Sequence, residues 1–177
     1  ITPAQVITLG FAAIILAGAL LLCLPISTRD GMGAPFWDAL FTATSATCVT
    51  GLILHDTFSY WTFFGQLVII TLIQIGGMGV VTVAITIFVL SGKRIGLKQR
   101  VIMQESISLS QNGGIIRFTG FILRGMIIIE AIGAILLAYR FIPRMGVVEG
   151  TWAGIFHSIS AFCNAGFDLM GQFKPYD

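Results

Sequence analysis

Charge is what this sequence has least of. Only 10% of its 177 residues are Asp, Glu, Lys or Arg, where ordinary soluble domains carry about 25%. Hydrophobic residues make up 56% and mean hydropathy is +0.93, so a lipid bilayer is the expected surrounding. A formal net charge of +2 is too small to suggest nucleic acid as a partner. Cysteine is scarce as well. Cys23, Cys48 and Cys163 are odd in number, widely scattered and outside any CxxC pair, which argues against a disulfide framework or a zinc site and for three free thiols. The two histidines, His55 and His157, have no HExxH, GxSxG or paired-acid pattern around them, so no enzyme is expected. His157 sits one turn after Ala153 and reads as a hydrogen-bonded structural histidine; His55 and Asp56 read as a solvated turn. The first apolar run lacks the basic start and the Ala-x-Ala exit of a cleavable signal peptide.

Long apolar runs are what is there instead. A bilayer core about 30 Å thick needs roughly 20 apolar residues in helical form. Three stretches qualify: 5–24, stopped by Pro25; 61–91, long enough to tilt; and 118–142, which contains Arg124 and Glu130 and stops at Pro143. Each is expected to be a helix, because a lone strand in lipid leaves its backbone unpaired. Two further apolar stretches, 35–46 and 151–161, span only about 15–18 Å as helices. Each leads into a glycine-ended segment, 47–52 and 162–167. A half-length helix followed by irregular backbone predicts a re-entrant loop, which survives at membrane depth where protein or a polar path satisfies it.

The two short segments are copies. At an offset of 115, Trp37 meets Trp152, Phe41 meets Phe156, Ser45 meets Ser160, Ala46 meets Ala161, Cys48 meets Cys163 and Gly51 meets Gly166. Those six identities fall within fifteen positions, where average composition gives about one. The expected architecture is therefore all-α, with parallel repeats of spanning helix, pore half-helix, filter loop and closing helix. The first repeat is assigned to 1–91 and the second, without its closing helix, to 118–177. Between them, 92–117 carries Lys93, Arg94, Lys98, Arg100 and Arg117 against the single acid Glu105. The positive-inside rule places that connection in the cytoplasm, so that both loops face outside in the same sense.

Residue types in the loops fit a cation path. A permeating cation exchanges its water shell for other oxygens, and stacked backbone carbonyls supply them densely. Gly51 and Gly166 permit backbone angles that aim successive carbonyls at one axis, and small neighbours such as Ser45, Thr50 and Ala165 allow close approach. The carboxyl end of each half-helix favours positive charge. Neither loop holds an acid, which suits a weakly hydrated monovalent cation.

Together, "SATCVTGL", "LIQIGGMG", "GKRIGLKQR" and "SISAFCNAGF" resemble the membrane subunit of the Ktr/Trk/HKT potassium transporters, closest to the bacterial Ktr type. The resemblance covers nearly the whole chain, with the motifs in the family's order. It implies four such units around one pseudo-fourfold pore, each keeping a filter glycine, of which about one and a half units are present here. The chain therefore reads as part of a longer subunit. The resemblance also implies that ion-facing carbonyls fall on Val49 and Thr50 before Gly51 and on Asn164 and Ala165 before Gly166. Thr47, Cys48, Phe162 and Cys163 flank them. It implies potassium as the transported ion, with sodium as the alternative, and no organic cofactor. Its implied partners are the remaining repeats of the pore, the lipid bilayer, a second copy in a homodimer and a cytoplasmic ring of nucleotide-binding regulatory subunits. Lys93, Arg94, Lys98 and Arg100 are the candidate contacts to that ring. The implied location is the plasma membrane. The alternative class is an alternating-access carrier, which predicts repeats of opposite orientation.

Three features stand outside the loops. The glycines of 75–79 are expected to allow close helix packing. Arg124 and Glu130, six residues apart, lie on nearly opposite sides of their helix and are not expected to pair. Glu130, at mid-membrane, then requires a basic or amide partner elsewhere.

Overall fold

The computed structural model describes residues 3–79 and 115–171. The later part of the 61–91 run lies outside the described residues, as do Lys93, Arg94, Lys98 and Arg100. Six helices are described: α1 (Pro3–Leu22), α2 (Phe36–Thr47), α3 (Thr57–Tyr60), α4 (Phe63–Met78), α5 (Ile115–Met145) and α6 (Val147–Phe162). Among the described residues the only β feature is an isolated bridge between Thr28 and Trp61.

Proline and glycine set the helix limits. Leu24, before Pro25, takes extended angles (φ −66°, ψ 142°), because the proline ring disfavours helical geometry in the residue preceding it. α1 accordingly stops at Leu22 and gives way to a 3-10 turn, Pro25–Ser27. α4 starts at the Thr62 cap, whose hydroxyl accepts from the Gly65 amide at 3.3 Å and donates to the Ile26 carbonyl at 2.6 Å. Two expected limits are corrected. α5 continues through Pro143 to Met145 and is ended by Gly146, at φ 87°. α6 begins at Val147, directly after that glycine, four residues before the expected start.

Small residues bring the helices together. On α6, a methyl on Gly150 would strike Ile142 and one on Gly154 would strike Ala134 and Ala138 of α5. The two backbones are thus nearly in contact, the packing that glycine and alanine permit between membrane helices. α2 packs similarly through Ala39, Ala43 and Ala46, all fully buried. Around this core the outer face of α5 is apolar yet open: Ile127, Ile128, Ile132, Ile135 and Leu136 are each more than half exposed. Gly120–Met145 is the one described helix long and apolar enough to cross a membrane by itself, while Ile7–Leu22 and Phe63–Met78 are shorter apolar segments.

Gly154→Leu wedges α5 from α6 and is expected to cost about 1–3 kcal/mol. Thermal unfolding of the detergent-solubilised full-length protein should fall, whereas Gly125→Ala, whose added methyl meets nothing within 4 Å, should not lower it. Equal midpoints for Gly154→Leu and wild type would sink the close-packing account.

Candidate functional site

The ends of α2 and α6 are built alike, bond for bond. After α2, the amides of Cys48, Val49 and Thr50 donate to the carbonyls of Thr44, Ala46 and Ser45 at 2.8, 3.3 and 3.0 Å. After α6, the amides of Cys163, Asn164 and Ala165 donate to Ile159, Ala161 and Ser160 at 2.9, 3.0 and 2.7 Å. This is the helix-ending motif in which one left-handed residue turns the chain back over its last turn. The left-handed residues are Val49 (φ 57°) and Asn164 (φ 59°). Two residues later Gly51 (φ 74°) and Gly166 (φ 75°) repeat the positive angle.

Asparagine tolerates that conformation; a β-branched valine does not favour it and is held there against local preference. Sequence reasoning named both residues but not their left-handed geometry. Asn164 carried a usable signal, since Asn is common at this capping position, but nothing in Val49 announces it. The loop limits also shift, with Thr47 and Phe162 forming the last residues of their helices.

The two loops touch. A methyl on Gly51 would overlap the Ala165 carbonyl, and one on Gly166 would sit 3.8 Å from the Gly51 Cα. Each loop is also tied by a serine of its own helix. Ser45 Oγ lies 2.9 Å from Thr50 Oγ1, and Ser160 Oγ donates to the Phe167 carbonyl at 2.6 Å. The Thr47 hydroxyl is buried without a hydrogen-bond partner. α4 backs both loops: Gly76 faces the Thr47 carbonyl and Gly77 faces the Cys163 side chain, where an added methyl would come within 2.5 Å of Sγ. Cys48 is exposed and Cys163 half-buried, both as free thiols.

Polar side chains outside the loops are mostly satisfied. His157 Nδ1 donates to the Ala153 carbonyl at 2.7 Å and its Nε2 accepts from the Leu169 amide at 3.2 Å, so this histidine anchors the chain beyond the second loop. His55 Nε2 lies 2.8 Å from Asp38 Oδ2, and its ring stacks on Tyr60 at 4.0 Å. Burial, then the charges of Asp30 and Asp38, push the Tyr60 phenol above its ordinary pKa. Asp56 caps α3 through the Ser59 amide at 2.7 Å. Gln66 on α4 donates to the carbonyls of Thr57 and Trp61 and accepts from Trp152 Nε1 at 2.7 Å. Gln74, two turns on, donates to both Glu130 carboxylate oxygens at 2.9 and 3.0 Å. The amide partner required for Glu130 is this one. Among the described residues no group of three or more His, Cys, Asp or Glu side chains could hold a metal.

Two abutting, acid-free loops thus stand at the ends of matched helices. The TrkH family model, described as cation transport protein, matches residues 5–177, and the chain belongs to that family. It is 44% identical over 172 residues to the potassium/sodium uptake protein NtpJ of Enterococcus hirae, covering 97% of this chain and 38% of that protein. It is 48% identical over 169 residues to the Ktr system potassium uptake protein B of Bacillus subtilis, covering 95% and 37%. With the corresponding Vibrio alginolyticus protein the identity is 39% over 168 residues, covering 95% and 36%. The chain thus spans well under half the length of these relatives. Membership agrees with the expectation that the chain is not an enzyme and with a membrane location.

Asn164→Val places a second β-branched residue in the left-handed region and is expected to cost about 1–2 kcal/mol. Val49→Asn should instead raise stability. Unfolding midpoints in detergent check both, and opposite signs for the two are the outcome that supports the capping account.

Proposed function

We propose that this chain supplies two adjacent walls of a potassium-conducting pore in the plasma membrane. The observation that carries the reading is the matched pair of acid-free loops, Cys48–Val49–Thr50–Gly51 and Cys163–Asn164–Ala165–Gly166, turned by the same hydrogen bonds and abutting at Gly51 and Ala165. The helices that deliver them are short. α2 has 12 residues and α6 has 16, about 18 and 24 Å against a core of about 30 Å. Both are read as re-entrant pore helices with their carboxyl ends, and hence their negative dipole ends, toward the ion path.

In this reading the carbonyls of Val49 and Thr50 and of Asn164 and Ala165 replace the ion's water shell. Gly51 and Gly166 allow the turn; Thr47, Cys48, Phe162 and Cys163 fix the loop ends. Residues 1–91 form one unit and 118–177 part of a second, with the loops opening outside and 92–117 in the cytoplasm. The relatives' names, which specify potassium or potassium and sodium uptake, support potassium as cargo with sodium as the second ion. No organic cofactor is called for. Further repeats complete the ring, a second copy forms a homodimer, and a cytoplasmic nucleotide-binding ring contacts Lys93, Arg94, Lys98 and Arg100. The "Ktr system" designation of the relatives fits such an assembly.

The test is potassium uptake by full-length protein in a bacterium lacking its own potassium transport. Gly51→Ser meets both the positive φ and the Ala165 carbonyl, and is expected to raise the KM for potassium about ten-fold or more. Gly166→Ser meets only the positive φ and should have the smaller effect. Wild-type potassium affinity and sodium exclusion in both variants would end the filter reading.

A further inference from the structure

Glu130 is an acid in the middle of the most lipid-like helix. Its neighbours Ile127, Ile128, Ile129 and Ile132 are all more than half exposed, yet Glu130 itself is only 8% exposed. Among the described residues no cation lies within ion-pair distance of it. A carboxyl group so placed is costly and marks a function by default.

Its contacts lead to the second loop. Both carboxylate oxygens accept from Gln74 Nε2, and the same nitrogen lies 3.7 Å from Met126 Sδ. The other end of that carboxamide, Gln74 Oε1, lies 4.0 Å from Cys163 Sγ, a weak thiol donor. Cys163 is the residue before the left-handed Asn164. Beside it Gly77, three residues beyond Gln74, leaves the space that the thiol fills. From the other side Ser158 Oγ on α6 donates to the Glu130 backbone carbonyl at 2.7 Å, and Gly133 on α5 packs on that same hydroxyl. Glu130 thus grips α4 with its side chain and α6 with its backbone. The second loop begins where those two helices meet.

We infer that Glu130 is a positioning residue for ion selection: acting through Gln74, it holds Cys163 and the second filter loop against α4. The inference rests on the filter reading above. A filter discriminates ions by how its oxygens are placed, so a support that lets one loop shift acts on selectivity before it acts on stability. Gln74 is the fitting intermediary because a carboxamide donates at one end and accepts at the other, joining an acceptor-only carboxylate to a thiol. The pair asks for a hydrogen bond and not for charge: glutamine in place of Glu130 keeps an oxygen facing the Gln74 nitrogen.

The experiment compares potassium uptake and its inhibition by sodium in full-length protein, normalised to the amount inserted in the membrane. Glu130→Ala removes the bond, and the sodium-to-potassium discrimination should fall about ten-fold, the value of one hydrogen bond. Glu130→Gln should retain discrimination within about two-fold on the same scale. Gln74→Glu sets two acids against each other and should lose discrimination, and the exchanged pair Gln74→Glu with Glu130→Gln should regain it. That exchange decides the matter if Glu130→Ala does not insert. Wild-type discrimination in an inserted Glu130→Ala, or an exchanged pair no better than Gln74→Glu alone, overturns the inference. Gly166→Ser separates the two ideas: if it alters discrimination while Glu130→Ala does not, the filter stands and the support fails. If neither alters it, the filter reading falls first.

Discussion

Gly76 and Gly77 give α4 two consecutive positions without a side chain, and the Thr47 carbonyl and the Cys163 side chain occupy that space. This approach fixes the rest. With any larger residue at either position, α4 would stand off by several tenths of an ångström at least, and both loops would lose their backing. The two glutamines of α4 act from the same helix. Gln66 reaches Trp152 and Gln74 reaches Glu130, so one helix carries close packing at its end and directed hydrogen bonds along its length. Hydrogen bonds between membrane helices contribute about 0.6 kcal/mol on average, up to about 2, and their value here lies more in register than in strength. A carboxamide with every polar atom occupied has one arrangement to choose.

The fold follows from a shortage of polar material. Backbone groups that leave the helices in an apolar molecule need partners from nearby. The chain after α2 and after α6 finds them in the last turn of its own helix, while Ser45 and Ser160 add the side-chain ties. That solution demands a left-handed residue, which explains a strained valine at 49: strain of this kind persists where surrounding structure over-determines it, and it concentrates at functional positions.

Much of this was legible beforehand. Pro25 marked the end of the first helix, whereas Pro143 proved tolerable inside α5 and the real break fell at Gly146, a residue easily passed over in a sequence rich in glycine. The run 61–91, expected as one helix, is interrupted after Met78 by Gly79 at φ 76°. The repeated Trp, Phe, Ser, Ala, Cys and Gly marked the loops. Left-handed geometry at Val49 was not legible, because tertiary and capping bonds there override the residue's own preference. Glu130 was readable as a group that required a partner. Gln74 was not readable as that partner, since 56 residues separate them and nothing in either sequence neighbourhood names the other.

The capping bonds have one more consequence, for the sign of the ion. In both loops three successive amides, those of residues 48 to 50 and 163 to 165, point back into the helix and are already engaged. Among the described residues no donor engages the carbonyls of those same positions. In the proposed filter, an anion would find those three amides of each loop already engaged, while a cation would meet carbonyls that accept from no described donor. Under that proposal the capping bonds are one source of preference for a cation over chloride, since neither loop carries a charged side chain.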